Sequence, residues 1–178
     1  MTSRGAILKP ELWRLLRSEF RLDWQGIHGI PHWSRVLRHG RYLASRTKAV
    51  VGVVELFAVL HDVKREHDGF DPEHGERAAE FADWLCRRAL IQLPSAEQAL
   101  LFYALQHHSD GHLDADVTVQ VCWDADRLDL GRVGVCPCAS RLCTEPARDP
   151  AYIHAAVEWA HRSPAAAFSR AVTRTDGS

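Results

Sequence analysis

The dipeptide His61-Asp62 closes an apolar run over residues 50–60, and chemistry is best positioned there in this sequence. An imidazole and a carboxylate on a buried segment need a partner, because an unpaired buried charge is costly. A divalent first-row ion satisfies both groups at once, since imidazole and carboxylate suit such ions. Eleven histidines in 178 residues is a high count, and composition alone does not explain it. His32, His74, His107 or His108, and the carboxylate Asp126 are the other residues whose spacing lets them join such a site.

Each of these stands on, or at the end of, the apolar side of a separate helical stretch. Residues 10–20 read as an amphipathic helix with Leu12, Trp13, Leu15, Leu16 and Phe20 on one side. A turn over GIHGIP follows. His32 then opens a helix on which Val36, Gly40 and Leu43 recur at four, eight and eleven residues, while His28 and His39 fall off that stripe and read as surface. The run over 50–60 is apolar nearly all round, the mark of a buried helix, and His61 continues its stripe of Val50, Val54 and Phe57. Asp71-Pro72 reads as a helix start, with Asp as N-cap and Pro at the first helical position. His74 leads the inward stripe of Ala78, Ala82, Leu85 and Ala89. Ser95 with Gln98 reads as a capping box for a helix ending at His107-His108, either of which faces inward. Over 117–133, Val119, Cys122, Asp126, Leu130 and Val133 fall within about 40° of one meridian at 100° per residue. Asp126 therefore sits amid an apolar stripe, Asp124 points nearly the opposite way toward solvent, and Asp129 lies at the flank. Asp149-Pro150 starts a last helix, closed by Ser163-Pro164, and the chain after residue 171 is expected to be mobile. Strand signals are absent apart from an ambiguous 117–121, so the expected fold class is all-α, a single-domain helical bundle over 1–178 with its core at about 10–163.

Three stretches in order, GIPHWSRV, LFAVLHDVKR and CWDADRLDLGRVG, resemble the HD-domain superfamily of metal-dependent phosphohydrolases, whose pattern is H…HD…D. The motifs span residues 32 to 134. The resemblance implies that His32, His61, Asp62 and Asp126 hold one divalent transition ion (Mn, Fe, Ni, Co or Zn). DPEHGERAAEF and LQHHSDGH are similar to the additional histidines of the binuclear subset, which includes cyclic-dinucleotide phosphodiesterases of the HD-GYP type. By that likeness His74 with His107 or His108 would hold a second ion, and Asp62 would bridge the two. Two features depart from the subset. No GYP segment follows His108, and Arg65 stands where that subfamily has Lys and nucleotidase members have an acid. The implied reaction is attack on phosphorus by a water whose pKa the ion lowers. Asp62 and Arg65 are its expected catalytic residues, and Lys64, Arg65 and Arg132 are candidates for the phosphate oxygens. Arg127 is expected to pair with a neighbouring acid. The expected substrate is a small phosphate ester, nucleotide-like, with specificity in the loops over 66–70 and 134–147. The same residues allow two other readings: an HD-type di-iron oxygenase, and a metal-stabilised binding or sensor domain without turnover.

Composition bounds these readings. Hydrophobic residues make up 46%, charged residues 25%, and the net charge is −1, so there is no electrostatic footprint for a nucleic-acid polymer. No apolar stretch reaches the length of a membrane span, and residues 1–13 lack a signal-peptide core, which makes a cytoplasmic location the expectation. A homodimer is compatible with this composition. Five cysteines without an export signal argue against a disulfide framework. The cluster Cys136, Cys138 and Cys143 matches no standard zinc-finger spacing, with Cys122 or a nearby His as its only fourth ligand.

Overall fold

The computed structural model describes residues 9–161, and within them the chain is helical, with no strand. The order is α1 (Pro10–Glu19), α2 (Ile30–Ala44), α3 (Val51–Leu60), α4 (His74–Arg87), α5 (Ser95–His107), α6 (Val117–Arg127), α7 (Glu145–Arg148) and α8 (Pro150–His161). Short 3₁₀ turns at Leu130–Val133 and Ala139–Arg141 join α6 to α7. The all-α class expected from the sequence is what the fold shows. Residues 117–121, ambiguous in sequence, are the first turns of α6. The breaks expected at Ser163-Pro164 and the tail after 171 lie outside the described residues.

α3 is the central helix because its sequence leaves it almost no solvent face beyond the first turn. Val53, Val54, Leu56, Phe57, Ala58, Val59 and Leu60 are all buried, and α2, α5 and α6 pack around it. α4 pairs with α5, and α8 lies on the 3₁₀ turn after α6. No described helix is long and apolar enough to cross a membrane.

Several helix ends differ from the sequence expectation, each for a local reason. α4 begins at His74, and Asp71 is not its cap. The Asp71 carboxylate instead accepts from the Glu66 N–H at 3.0 Å and from Arg77 Nη2 at 2.6 and 2.7 Å, closing the loop before the helix. Ser95 lies inside α5, after Pro94, and Gln98 Nε2 donates back to the Leu93 carbonyl in place of a capping box. α6 stops at Arg127, and the chain tightens into the 3₁₀ turn at Leu130–Val133, so Leu130 and Val133 do not prolong its buried stripe. Gly75 is required where α4 approaches the end of α5. A Cβ there would lie 2.7 Å from the Leu105 carbonyl and 2.8 Å from that of Gln106, so only glycine lets His74 come alongside His108.

Candidate metal centre

The C-terminal end of α3 points its last residues into the middle of the bundle. His61 retains helical geometry as the C-cap, and Asp62 begins the turn beyond it. Three elements close on that point: the start of α2 with His32, the end of α6 with Asp126, and the α4/α5 pair with His74 and His108. Three of the four histidines are oriented by fixed acceptors. His32 Nδ1 donates to Asp129 Oδ2 at 2.7 Å, and His108 Nδ1 to the Leu105 carbonyl at 2.7 Å. His74 Nδ1 donates to the Asp71 carbonyl. A carbonyl can only accept, so in His74 and His108 the Nε2 lone pair is the one turned inward.

The inward atoms form two groups of three, each with its atoms within 4.8 Å of one another: His32, His61 and Asp126, and then Asp62, His74 and His108. In the first, His32 Nε2 and His61 Nε2 are 2.9 Å apart. Asp126 Oδ1 faces them at 3.3 and 3.8 Å, buried and without a hydrogen-bond partner among the described residues. Asp62 Oδ2 completes a quartet, 3.6 Å from each Nε2. In the second, His74 Nε2 and His108 Nε2 are 2.8 Å apart, with Asp62 Oδ1 at 3.5 and 4.0 Å. Asp62 thus offers one oxygen to each group.

Two imidazole nitrogens aimed at each other, with carboxylate oxygens beside them, repel unless a cation sits between. The protonation tendencies agree with such a cation. Burial drops His61 to about 3 and His74 to about 4, leaving neutral rings with lone pairs to give. Against burial, which pushes carboxyls up, neighbouring histidines led by His61 hold Asp62 well below the ordinary range. The His32 imidazole, 3.3 Å away, does the same for Asp126. His32 itself is raised: burial and then Arg132 depress it, but Asp126 and Asp129 outweigh them. Neutral imidazoles and ionised carboxylates are the protonation states that bind a divalent ion, so an ion here would displace the proton that His32 otherwise favours. The donor set could hold a metal ion: His32, His61, Asp62 and Asp126 would be its ligands, and Asp62, His74 and His108 would be those of a second.

Arg65 is buried at the second group. Its Nη1 lies 3.2 Å from His74 Nε2 and 3.5 Å from Asp62 Oδ1, and Nη2 donates to the Gly69 carbonyl at 2.8 Å. The guanidinium therefore supplies positive charge to the second group from within the protein. Arg132 reaches the first group only by its field, since Nε donates to the Ile27 carbonyl and Nη1 to that of Asp129. Lys64 does not face the cluster: its ammonium pairs with Glu19 at 2.8 Å and lies over the Phe81 ring. The turn after α3 sends successive side chains opposite ways, so Lys64 goes out and Arg65 in. His107 also points away, half-buried and donating to Asp110, and the structure brings His108 to the cluster instead.

Sequence reasoning missed four buried groups. His28, read as surface, is buried and its Nδ1 meets Asp62 Oδ2 at 2.7 Å. The turn that carries it is tight enough that a Cβ on Gly29 would fall 2.2 Å from the Trp24 carbonyl. Asp129, placed at a flank, is fully buried and orients His32, with Arg35 Nη2 donating to it at 3.0 Å. The spacings His28/His32, His32/Arg35 and Asp126/Asp129 are four, three and three residues, a signal that they share helical faces. His39 is buried under α8, its Nδ1 3.0 Å from the Tyr152 hydroxyl. Asp124 is not solvated either. It accepts from the Cys143 and Thr144 N–H groups at 2.7 and 2.8 Å and from the Thr144 hydroxyl at 2.7 Å. Among the described residues Arg127 pairs with no acid, donating to the carbonyls of Arg141 and His112. None of the five cysteines joins a candidate metal group among the described residues: Cys122 is buried in α6, and Cys136 and Cys138 are exposed.

The architecture has a solved counterpart. The chain is similar to a crystal structure of a predicted HD superfamily hydrolase from an uncultured Thermotogales bacterium. The two superpose with a TM-score of 0.63 at 26% sequence identity, over 94% of this chain and 92% of that one. No protein-family model and no curated protein matches the sequence. Fold and buried His/Asp cluster together bear out the likeness to the HD superfamily read from GIPHWSRV, LFAVLHDVKR and CWDADRLDLGRVG. The neighbour supports a hydrolase of that superfamily.

Proposed function

We propose that this protein is a metal-dependent phosphohydrolase acting on a small, nucleotide-like phosphate ester. The observation that supports this reading best is the convergence of four Nε2 atoms and three oxygens of two carboxylates, Asp62 and Asp126, from five separate elements on one buried point. A divalent ion there supplies Lewis-acid chemistry, lowering the pKa of a water and neutralising charge that builds on a phosphoryl group. The chain's own residues then have distinct parts. Asp129 and Arg35 hold the His32 ring with its Nε2 inward. Asp62 offers one oxygen to each group, and His28 fixes the orientation of its carboxylate. Arg65 brings a guanidinium to the edge of the cluster, where its positive charge can attract phosphate oxygens. The surrounding apolar residues of α3 exclude bulk water.

Metal analysis of the purified chain, beside Asp62→Ala and a panel of phosphorylated metabolites, tests this. The expected result is a first-row metal in the wild type, its loss in Asp62→Ala, and release of phosphate from at least one nucleotide-like ester. Full metal content in the variant would remove the reading. Iron with a di-iron absorption spectrum and no phosphate release would transfer the cluster to oxygenase chemistry.

A further inference from the structure

We propose that His107, Asp110 and His112 form a second, outward-facing metal site, distinct from the buried cluster and independent of the phosphohydrolase reading. It takes one borderline divalent ion of the zinc, nickel or copper class. His107 Nδ1 lies 2.7 Å and His112 Nε2 3.7 Å from the same oxygen, Asp110 Oδ2, and the three ligand atoms all lie within 4.8 Å of one another. Ligand atoms held about 2.0–2.2 Å from an ion need spacings of this order. A hydrogen bond between His107 and Asp110 would account for two of the three. It gives His112 no reason to turn its Nε2 toward the same carboxylate oxygen.

The triad is held by its surroundings. Gly111, at φ +79°, lets the chain reverse between Asp110 and His112. Arg127 of α6 donates to the His112 carbonyl at 2.7 Å and fixes the loop against that helix. The Tyr103 ring lies 4.6 Å from the His107 ring, and Trp123 lies 6.2 Å from that of His112, so both imidazoles lean on aromatic walls. Two imidazoles and one carboxylate favour zinc, nickel or copper over magnesium or calcium, which prefer oxygen. Partial exposure leaves one face open to water and lets the ion exchange with solution. A bound ion would tie the end of α5 to the loop at 109–113, one residue from His108, whose ring turns inward to the buried cluster.

The test is zinc titration of the full chain by isothermal calorimetry, for wild type, Asp110→Asn and His112→Ala, and for Asp62→Ala as a control on the buried cluster. Both surface variants should melt at the wild-type temperature without added zinc and bind one equivalent fewer. Asp62→Ala should keep that outer equivalent, which separates this site from the buried one. Equal stoichiometry in wild type and both surface variants would overturn the site. So would loss in His112→Ala alone, because the carboxylate would then not be a ligand.

Discussion

Replacing Arg65 by methionine asks whether the second group, Asp62 with His74 and His108, takes an ion in this chain. The guanidinium Nη1 stands 3.5 Å from Asp62 Oδ1 and 3.2 Å from His74 Nε2. An ion bound by those atoms would lie about 4 Å from it, where a divalent and a unit charge repel by about 8 kcal/mol at an effective dielectric of 20. They cannot share the place, so Arg65 must swing away first. Leaving breaks its hydrogen bond to the Gly69 carbonyl and its contact with Asp62, worth about 1.5–3 kcal/mol for a charged donor. That cost falls on the second ion alone, weakening it by about 10- to 150-fold relative to a site without the arginine. Arg65→Met keeps the length and the apolar packing of the stem and removes the charge. Manganese titration should therefore show a second equivalent that binds tens of times more tightly in Arg65→Met. Using a His112→Ala background removes any contribution from the outer triad. A second equivalent of unchanged or weaker affinity would refute the competition, and Arg65 would then not be the counter-charge of this group.

Two further predictions separate residues that look alike in sequence. Asp126→Asn should weaken metal binding by at least about 100-fold, more than loss of a supporting partner costs, with little change in melting temperature. Asp124→Asn should do the reverse: it places an amide before three donors, costing about 2–3 kcal/mol of stability while leaving metal content intact. The third concerns pH. Burial lowers His39 to about 4 against 6.5 in the unfolded chain, so the unfolded state takes up the proton more readily. The stability His39 contributes is present above pH 6.5 and is lost as pH falls toward 4, about 2 kcal/mol of it by pH 5. Chemical denaturation at pH 8 and pH 5 should show the wild type losing about 2 kcal/mol more than His39→Phe, with the other histidines common to both. Equal losses would mean that His39 does not titrate in this range.

The cluster was legible because its residues sit where each helix's own periodicity already points inward. α3 is apolar nearly all round, so whatever ends it is buried, and His61-Asp62 ends it. His32, His74 and Asp126 likewise continue stripes that single helices declare. What the stripes do not declare is the far side of a helix, because that side is covered by chain distant in sequence. Asp124 looks solvated from within α6, yet Cys143 and Thr144 cap it with three donors. His39 looks solvated from within α2 until α8 brings Tyr152 to it. Asp129 is met by His32 and Arg35, some 97 and 94 positions away. The buried polar groups missed in sequence are thus those with a partner across the bundle, and they support the ligands more often than they bind. Asp129 and His28 are the instructive pair: each lies three or four residues from a legible ligand, on the same helical face or the turn leading into it. Each makes a 2.7 Å contact with a cluster residue, His32 and Asp62 respectively. A polar residue three or four positions from a candidate ligand therefore merits reading as that ligand's support or its neighbour's, even when its own stripe says surface.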